Sequence, residues 1–237
     1  MDENLSSDYS FSGPWDEFRS HPGQVAYVKW NLLRDFYQNV VKVNGVSLIH
    51  IAVLPGADKK LRRKLLNAAM RDEELGYDGE VTRRLYNYIT SAATLADHCR
   101  NVMKPYQNTP FYEEYEEKVD KFKSLPESIF LKDLRNYFAH HKIPSIGCGL
   151  TNFDNDKDFR SEALIYTSDL SDSDRWSAGS RRYIQDHFPN VYISDLIRQH
   201  LKHLGELYSW IFSNFMRLHE EEYNDSLKLR QQIINRH

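Results

Sequence analysis

The residue types best suited to chemistry gather in one short stretch, Leu134-Arg135-Asn136-Tyr137-Phe138-Ala139-His140-His141-Lys142. Arginine keeps its charge throughout the physiological range whereas histidine changes charge near neutrality, so the stretch sets a fixed cation beside a proton carrier. That pairing suits phosphodiester cleavage. A guanidinium holds phosphate oxygens through two hydrogen bonds while an imidazole takes or gives a proton as phosphorus is attacked, and such a step needs no metal ion. Asn136 and His140 are i,i+4 neighbours on one helix face, where the amide can orient the imidazole or contact the ribose phosphate. Arg135 and His140 instead diverge by about 140° on an ideal helix, because each residue advances about 100°. Bringing those two together requires either an unwinding helix end before Pro144 or a second copy of the motif. His141 falls on the apolar stripe of Ile129, Phe130, Leu134, Tyr137 and Phe138, which predicts an inward-facing side chain.

The elements that must position this stretch are mostly helical by pattern. Residues 1–22, with Gly13, Pro14 and Pro22 among scattered aromatics, predict an extended arm. Val25, Val28, Leu32, Phe36, Val40 and Val43 mark an amphipathic helix that Asn44-Gly45 should break. The apolar run 46–54 suits a buried strand or a loop equally. Asp58 is placed to cap a helix reaching Leu75, with Gly76 closing it; its basic start, Lys59 to Lys64, is either a solvated face paired with neighbouring elements or an RNA-facing patch. The stripe Val81, Leu85, Tyr88, Ile89, Leu95, Cys99 and Met103 predicts a helix over 79–103. An acidic helix over 111–125 precedes the motif helix, which follows Pro126. Its carboxylates at adjacent positions share no face, and acids early in a helix have a structural reason to be there. Residues 146–152 and 160–167 read as a hairpin around the polar loop 154–158, and 168–180 as loop. A short helix over 180–188 and a long one over about 192–235 complete the chain. We expect an all-α fold with a small β-hairpin, built as one domain over 23–237.

Composition limits the alternatives. At 237 residues with 15 Tyr, 12 Phe and 4 Trp, the chain has enough large apolar side chains to fill a sizeable core. A net charge of −3 argues against a protein wrapped in nucleic acid, although a basic pocket for a few nucleotides remains compatible with it. The acidic, Ser-rich start lacks the basic and then apolar pattern of a secretion signal, and no run of about eighteen uninterrupted apolar residues occurs. Cys99 and Cys148 stand far apart without metal-ligand spacing, so cytoplasmic localisation and no membrane are expected. No phosphate loop, nucleophile elbow or zinc knuckle is present in the sequence, and no cofactor is indicated. His200 and His203 are i,i+3 and have no third ligand nearby in sequence, which favours structural roles over metal binding.

Arg135, Asn136, three further residues and His140 resemble the signature of HEPN domains, small helical bundles that include many metal-independent endoribonucleases of toxin, abortive-infection and phage-defence systems. The resemblance implies a HEPN-type bundle that cleaves RNA as a homodimer, with His140 as general base, Arg135 stabilising the phosphate charge and Asn136 positioning either. It also implies products with a cyclic phosphate or its opened form, and a possible antitoxin or regulatory partner. Asp97-His98-Cys99-Arg100 is similar to a group on helices neighbouring that motif, which adds His98 and Arg100 as binding candidates beside His141 and Lys142. The plainer reading of the same residues is a surface charge pair and a boundary histidine. Family toxins silenced by adenylylation carry a tyrosine two residues after the motif histidine, where this chain has Lys142, so that route of control is not expected. The alternative function is a non-catalytic HEPN-like module that binds RNA, a nucleotide or a protein partner.

Overall fold

A 29-residue helix, α5 (Leu75–Met103), provides the surface on which much of the fold is assembled. Val81, Leu85, Tyr88, Leu95 and Met103 are fully buried along it, as the stripe predicts. The structure is a computed structural model that describes residues 13–66, 75–151, 160–170 and 174–236. The polar loop expected at 154–158, the acidic end of the helix expected to reach Leu75 and residues 1–12 of the expected arm lie outside them.

In chain order, α1 (Pro14–Ser20), α2 (Pro22–Phe36), a π-helical turn (Tyr37–Val41), α3 (Lys42–Ala57) and α4 (Lys59–Leu66) precede α5. A 3-10 turn (Lys104–Tyr106), α6 (Pro110–Lys123) and α7 (Pro126–His140) lead to strands β1 (Ile146–Thr151) and β2 (Arg160–Tyr166). The short α8 (Thr167–Leu170), α9 (Ala178–Asp186), β3 (Asn190–Tyr192), α10 (Ile193–Leu218) and α11 (Glu220–Asn235) follow. The protein is thus mainly helical, with one three-stranded antiparallel sheet in the order β1-β2-β3. The hairpin is where the β-prone runs predict it, with Cys148 opposite Ala163, and β3 adds a strand that three residues of sequence do not announce.

The residues divide into two compact units, one of residues up to Arg34 with those from Trp210 onward, the other Asp35–Ser209. In the first, α1 forms where an extended arm was expected, because Asp16 Oδ2 accepts from the Gly13 N–H at 2.9 Å and Pro14 opens the first turn. Trp30 Nε1 donates to the Phe212 carbonyl at 3.1 Å, and Tyr27 stacks on Tyr223 with centroids 4.9 Å apart. The long terminal helix predicted over 192–235 is broken at His219, whose ring nitrogen contacts the Glu222 carboxylate at 2.6 Å at the start of α11.

In the second unit, α3 corrects two expectations. Residues 46–54 are helical, and Asn44-Gly45 lies inside the helix rather than ending it. Gly45 marks a close approach: a Cβ there would sit 2.6 Å from a Leu201 methyl carbon and 2.9 Å from the Tyr88 ring. Packing, not a turn, is the reason for that glycine. Helical spacing also fits two offset sets of residues between 25 and 43. Val25, Val28, Leu32 and Val43 are exposed, whereas Ala26, Leu33, Tyr37 and Val41 are buried, so the inner stripe is displaced by one residue from the predicted one. Gly76 lies within α5 and closes nothing, while Asp58 does cap α4, its Oδ1 accepting from the Lys60 and Leu61 N–H groups at 2.8 and 3.0 Å. By length and composition the continuous helical run Pro22–Ala57 is apolar enough to cross a bilayer; Leu48 and Ala52 within it are fully buried in the protein.

α3 packs on both α5 and β2, and α7 packs on α5, α6 and α9. A buried polar contact ties the middle of α10 into this core. The Tyr88 hydroxyl lies 2.6 Å from His200 Nδ1, and burial pushes the imidazole down to about 3 from its ordinary 6.5, with His203 adding a smaller contribution. Burial also raises the Tyr88 phenol, so the phenol is the donor and neutral His200 the acceptor. His200 is neutral when folded but protonates near 6.5 when unfolded, so the unfolded chain binds the extra proton between those values. Its contribution to stability is complete above about pH 6.5 and is lost as pH falls toward 3, with a slope approaching about 1.4 kcal/mol per pH unit. Urea unfolding of the wild type and His200→Gln at pH 7.0, 6.0 and 5.5 is expected to show the wild type losing more stability on acidification. Equal losses would remove His200 as the source.

Candidate functional site

α7 begins at Pro126, whose fixed φ suits the first turn, and ends at His140. Its buried face is set by Phe130, Leu131, Leu134 and Tyr137. Two rings lie under it, Trp176 and Tyr183: Phe130 stacks on Tyr183 at 4.7 Å and on Trp176 at 5.8 Å, and Tyr137 stacks on Trp176 at 5.0 Å between centroids. Each such pair contributes about 0.5–1.5 kcal/mol beyond area burial. At the helix start, Glu127 is buried and its Oε1 lies 2.5 Å from Nδ1 of His203 on α10. These contacts fix α7 in both position and rotation.

With that rotation fixed, Asn136 and His140 are exposed on one flank and line a small cleft of about 50 Å³. The sequence reading that placed them on a common face agrees with this geometry. Among the described residues, Asp133, Tyr137, Arg175 and Trp176 also line it. Arg175 NH1 donates to the His140 main-chain carbonyl at 3.2 Å, satisfying one of the acceptors that a helix end leaves open. The residues that follow Arg175 are anchored at two points. Trp176 Nε1 donates to the Leu170 carbonyl at 2.6 Å, and Asp133 Oδ2 accepts from the Ser177 N–H at 3.0 Å and the Ser180 hydroxyl at 2.7 Å. Asp133 thereby caps α9 from a neighbouring helix, together with Ser177 itself. Sequence reasoning missed Arg175, because nothing in its local pattern says that a residue before α9 returns to the end of α7.

The remaining candidates are dispersed. Arg135 is exposed but does not line the cleft of His140. It shares the opposite flank of α7 with Phe138, its i+3 neighbour, which lines a wider apolar groove of about 580 Å³ with Tyr86 and Ile143. The helix holds its hydrogen bonding to His140, so no unwinding draws Arg135 across. His141 corrects its predicted inward position: its backbone leaves the helix at φ −133° and ψ −84°, and the exposed ring rests on Tyr137 at 4.9 Å. Lys142 is exposed beyond it. On α5, Arg100 pairs with Asp97 on the surface, while the exposed His98 ring meets Phe36 at 5.1 Å; neither lines the cleft. The glutamates 113, 114, 116 and 117 of α6 are exposed. His200 and His203 turn to separate partners, and among the described residues no group of three or more His, Cys, Asp or Glu is placed to hold a metal ion.

Comparison of the chain with protein-family models, curated proteins and solved structures returns no match.

Asp133 is the contact that fixes the far wall of the cleft, so its removal should be felt as lost capping. Asp133→Ala is expected to destabilise the protein by about 0.5–2 kcal/mol, measured as a lower urea midpoint at unchanged slope. A midpoint within error of wild type would show that the α9 segment is held without it.

Proposed function

We propose that the protein is a metal-independent endoribonuclease of HEPN type, a toxin or phage-defence effector in which His140 acts as general base. The observation that carries this reading is the pairing of Asn136 and His140 on the exposed last turn of α7, at the edge of an open cleft. Neutral His140 takes the proton of a ribose 2′-hydroxyl as its oxygen bonds to the adjacent phosphorus and the bond from phosphorus to the 5′-oxygen breaks. The 5′-oxygen leaves with a proton from solvent, and a cyclic phosphate remains. Asn136 orients the imidazole or contacts the ribose phosphate. Arg135 stabilises charge on the phosphate, and because it lies on the other flank of α7, it does so in a homodimer in which each copy presents its Arg135 to the partner's His140. The exposed strip between the two flanks carries Lys132 and Ala139, and the short Ala139 side chain lets two such helices approach closely.

A second reading is favoured by the same divergence. One copy alone, with Arg135 and His140 on separate flanks, resembles a module that binds RNA, a nucleotide or a protein partner without cutting. Incubation of the folded protein with total RNA and tRNA in excess EDTA separates the two. Cleavage is expected to survive EDTA and to fall by at least about 10²-fold in both His140→Ala and Arg135→Ala. Mixing the two inactive variants should restore part of it if the site is shared between copies. Binding with no cleavage by wild type selects the module instead.

A further inference from the structure

We infer that the cleft at the end of α7 is a phosphate subsite for single-stranded RNA, with Arg175 as its cation. This rests on the nuclease reading of His140 and adds a residue that the motif does not contain.

Charge and geometry carry the argument. The proton carrier of a phosphodiester cleavage must stand within hydrogen-bond reach of the reacting ribose, so the adjacent phosphate lies beside it. Around His140 the described lining side chains are Asn136, Asp133, Tyr137, Arg175 and Trp176, and Arg175 is the cation among these described residues. Arg135, about 140° away round the helix, serves this cleft only from another copy. Arg175 is exposed and is tethered beside His140 by its 3.2 Å bond to that residue's carbonyl. A guanidinium presents five N–H donors in a planar fork, a geometry that can bond a carbonyl and phosphate oxygens together. The lining also contains an acid, Asp133, which would repel phosphate. Its Oδ2 accepts from the Ser177 N–H and the Ser180 hydroxyl at the start of α9, and these donors compensate part of its charge. The volume, about 50 Å³, suits a group of phosphate size rather than a nucleobase. Bases would then lie outside it, and binding would depend on the backbone more than on sequence.

The test uses the full chain as wild type, Arg175→Ala and Arg175→Lys, each first confirmed folded by its unfolding midpoint. Two readouts are taken: cleavage of a single-stranded RNA, and binding of the 2′-deoxy version at the reacting ribose over a salt series. Arg175→Ala is expected to lower cleavage by about 10²-fold, to weaken binding, and to reduce the salt slope by about 1. Arg175→Lys should recover binding and its slope more than cleavage, since a point charge replaces a two-pronged donor. A wild type that cuts and an Arg175→Ala variant that cuts and binds equally well would overturn the subsite and leave the nuclease reading intact. Arg175-dependent binding without any cleavage would keep the subsite and sink the nuclease reading. If the wild type neither binds nor cuts, both fall.

Discussion

The stacked rings of Phe130, Tyr137, Trp176 and Tyr183 are the constraint on which the candidate site depends. A helix can slide or roll on a purely aliphatic surface at modest cost, but planar rings stacked from both partners select one rotation. Phe130 and Tyr137 are seven residues apart, close to two full turns, so both enter the stack on the same side of α7. Every other side chain of the helix is then assigned a direction. The Glu127 carboxylate against His203 adds a second fixed point near the helix start, where a negative charge is also favoured by the helix dipole.

From that one rotation follow both the promise and the problem of the site. Asn136 and His140 emerge together because four residues return nearly to the same direction, while Arg135 emerges on the flank shared with Phe138. The rings beneath the helix also recruit the second wall. Trp176 belongs to the stack, so its neighbour Arg175 is delivered to the helix end, and Asp133 reaches back from α7 to cap α9. A buried aromatic and an exposed cation one residue apart thus serve different purposes: the first determines where the second stands.

The parts legible in the sequence are those governed by local rules. Pro126 and the apolar spacing located α7, the stripe of α5 was read almost residue by residue, and the β-prone runs on either side of a polar loop located β1 and β2. Where the sequence misled, a tertiary approach had overridden a local preference. Gly45 looks like a breaker and is a contact point; Gly76 looks like a cap and is interior to a helix. The residues between 25 and 43 satisfy helical spacing in two registers, and periodicity alone does not choose which of them meets the core. Arg175 was invisible for a related reason. It lies 35 residues beyond His140 in the chain, with β1, β2 and α8 between them, so only the tertiary fold closes that distance.

A site placed on a rigid helix is precise in what it aligns and equally rigid in what it separates. On the proposed reading, the fixed rotation of α7 denies a single copy the simultaneous use of Arg135 and His140, however long the arginine stem. Association then does more than stabilise the protein, because it supplies the missing cation, and activity follows the population of the assembled form by mass action. On the same reading, a cleft that holds Arg175 beside His140 would give each copy a means of engaging RNA before assembly. Binding and cleavage would respond differently to protein concentration, the first set by one surface and the second by two. On that reading, a helix that keeps Arg135 and His140 on opposite flanks would itself hold an isolated copy inactive, with no separate inhibitor needed.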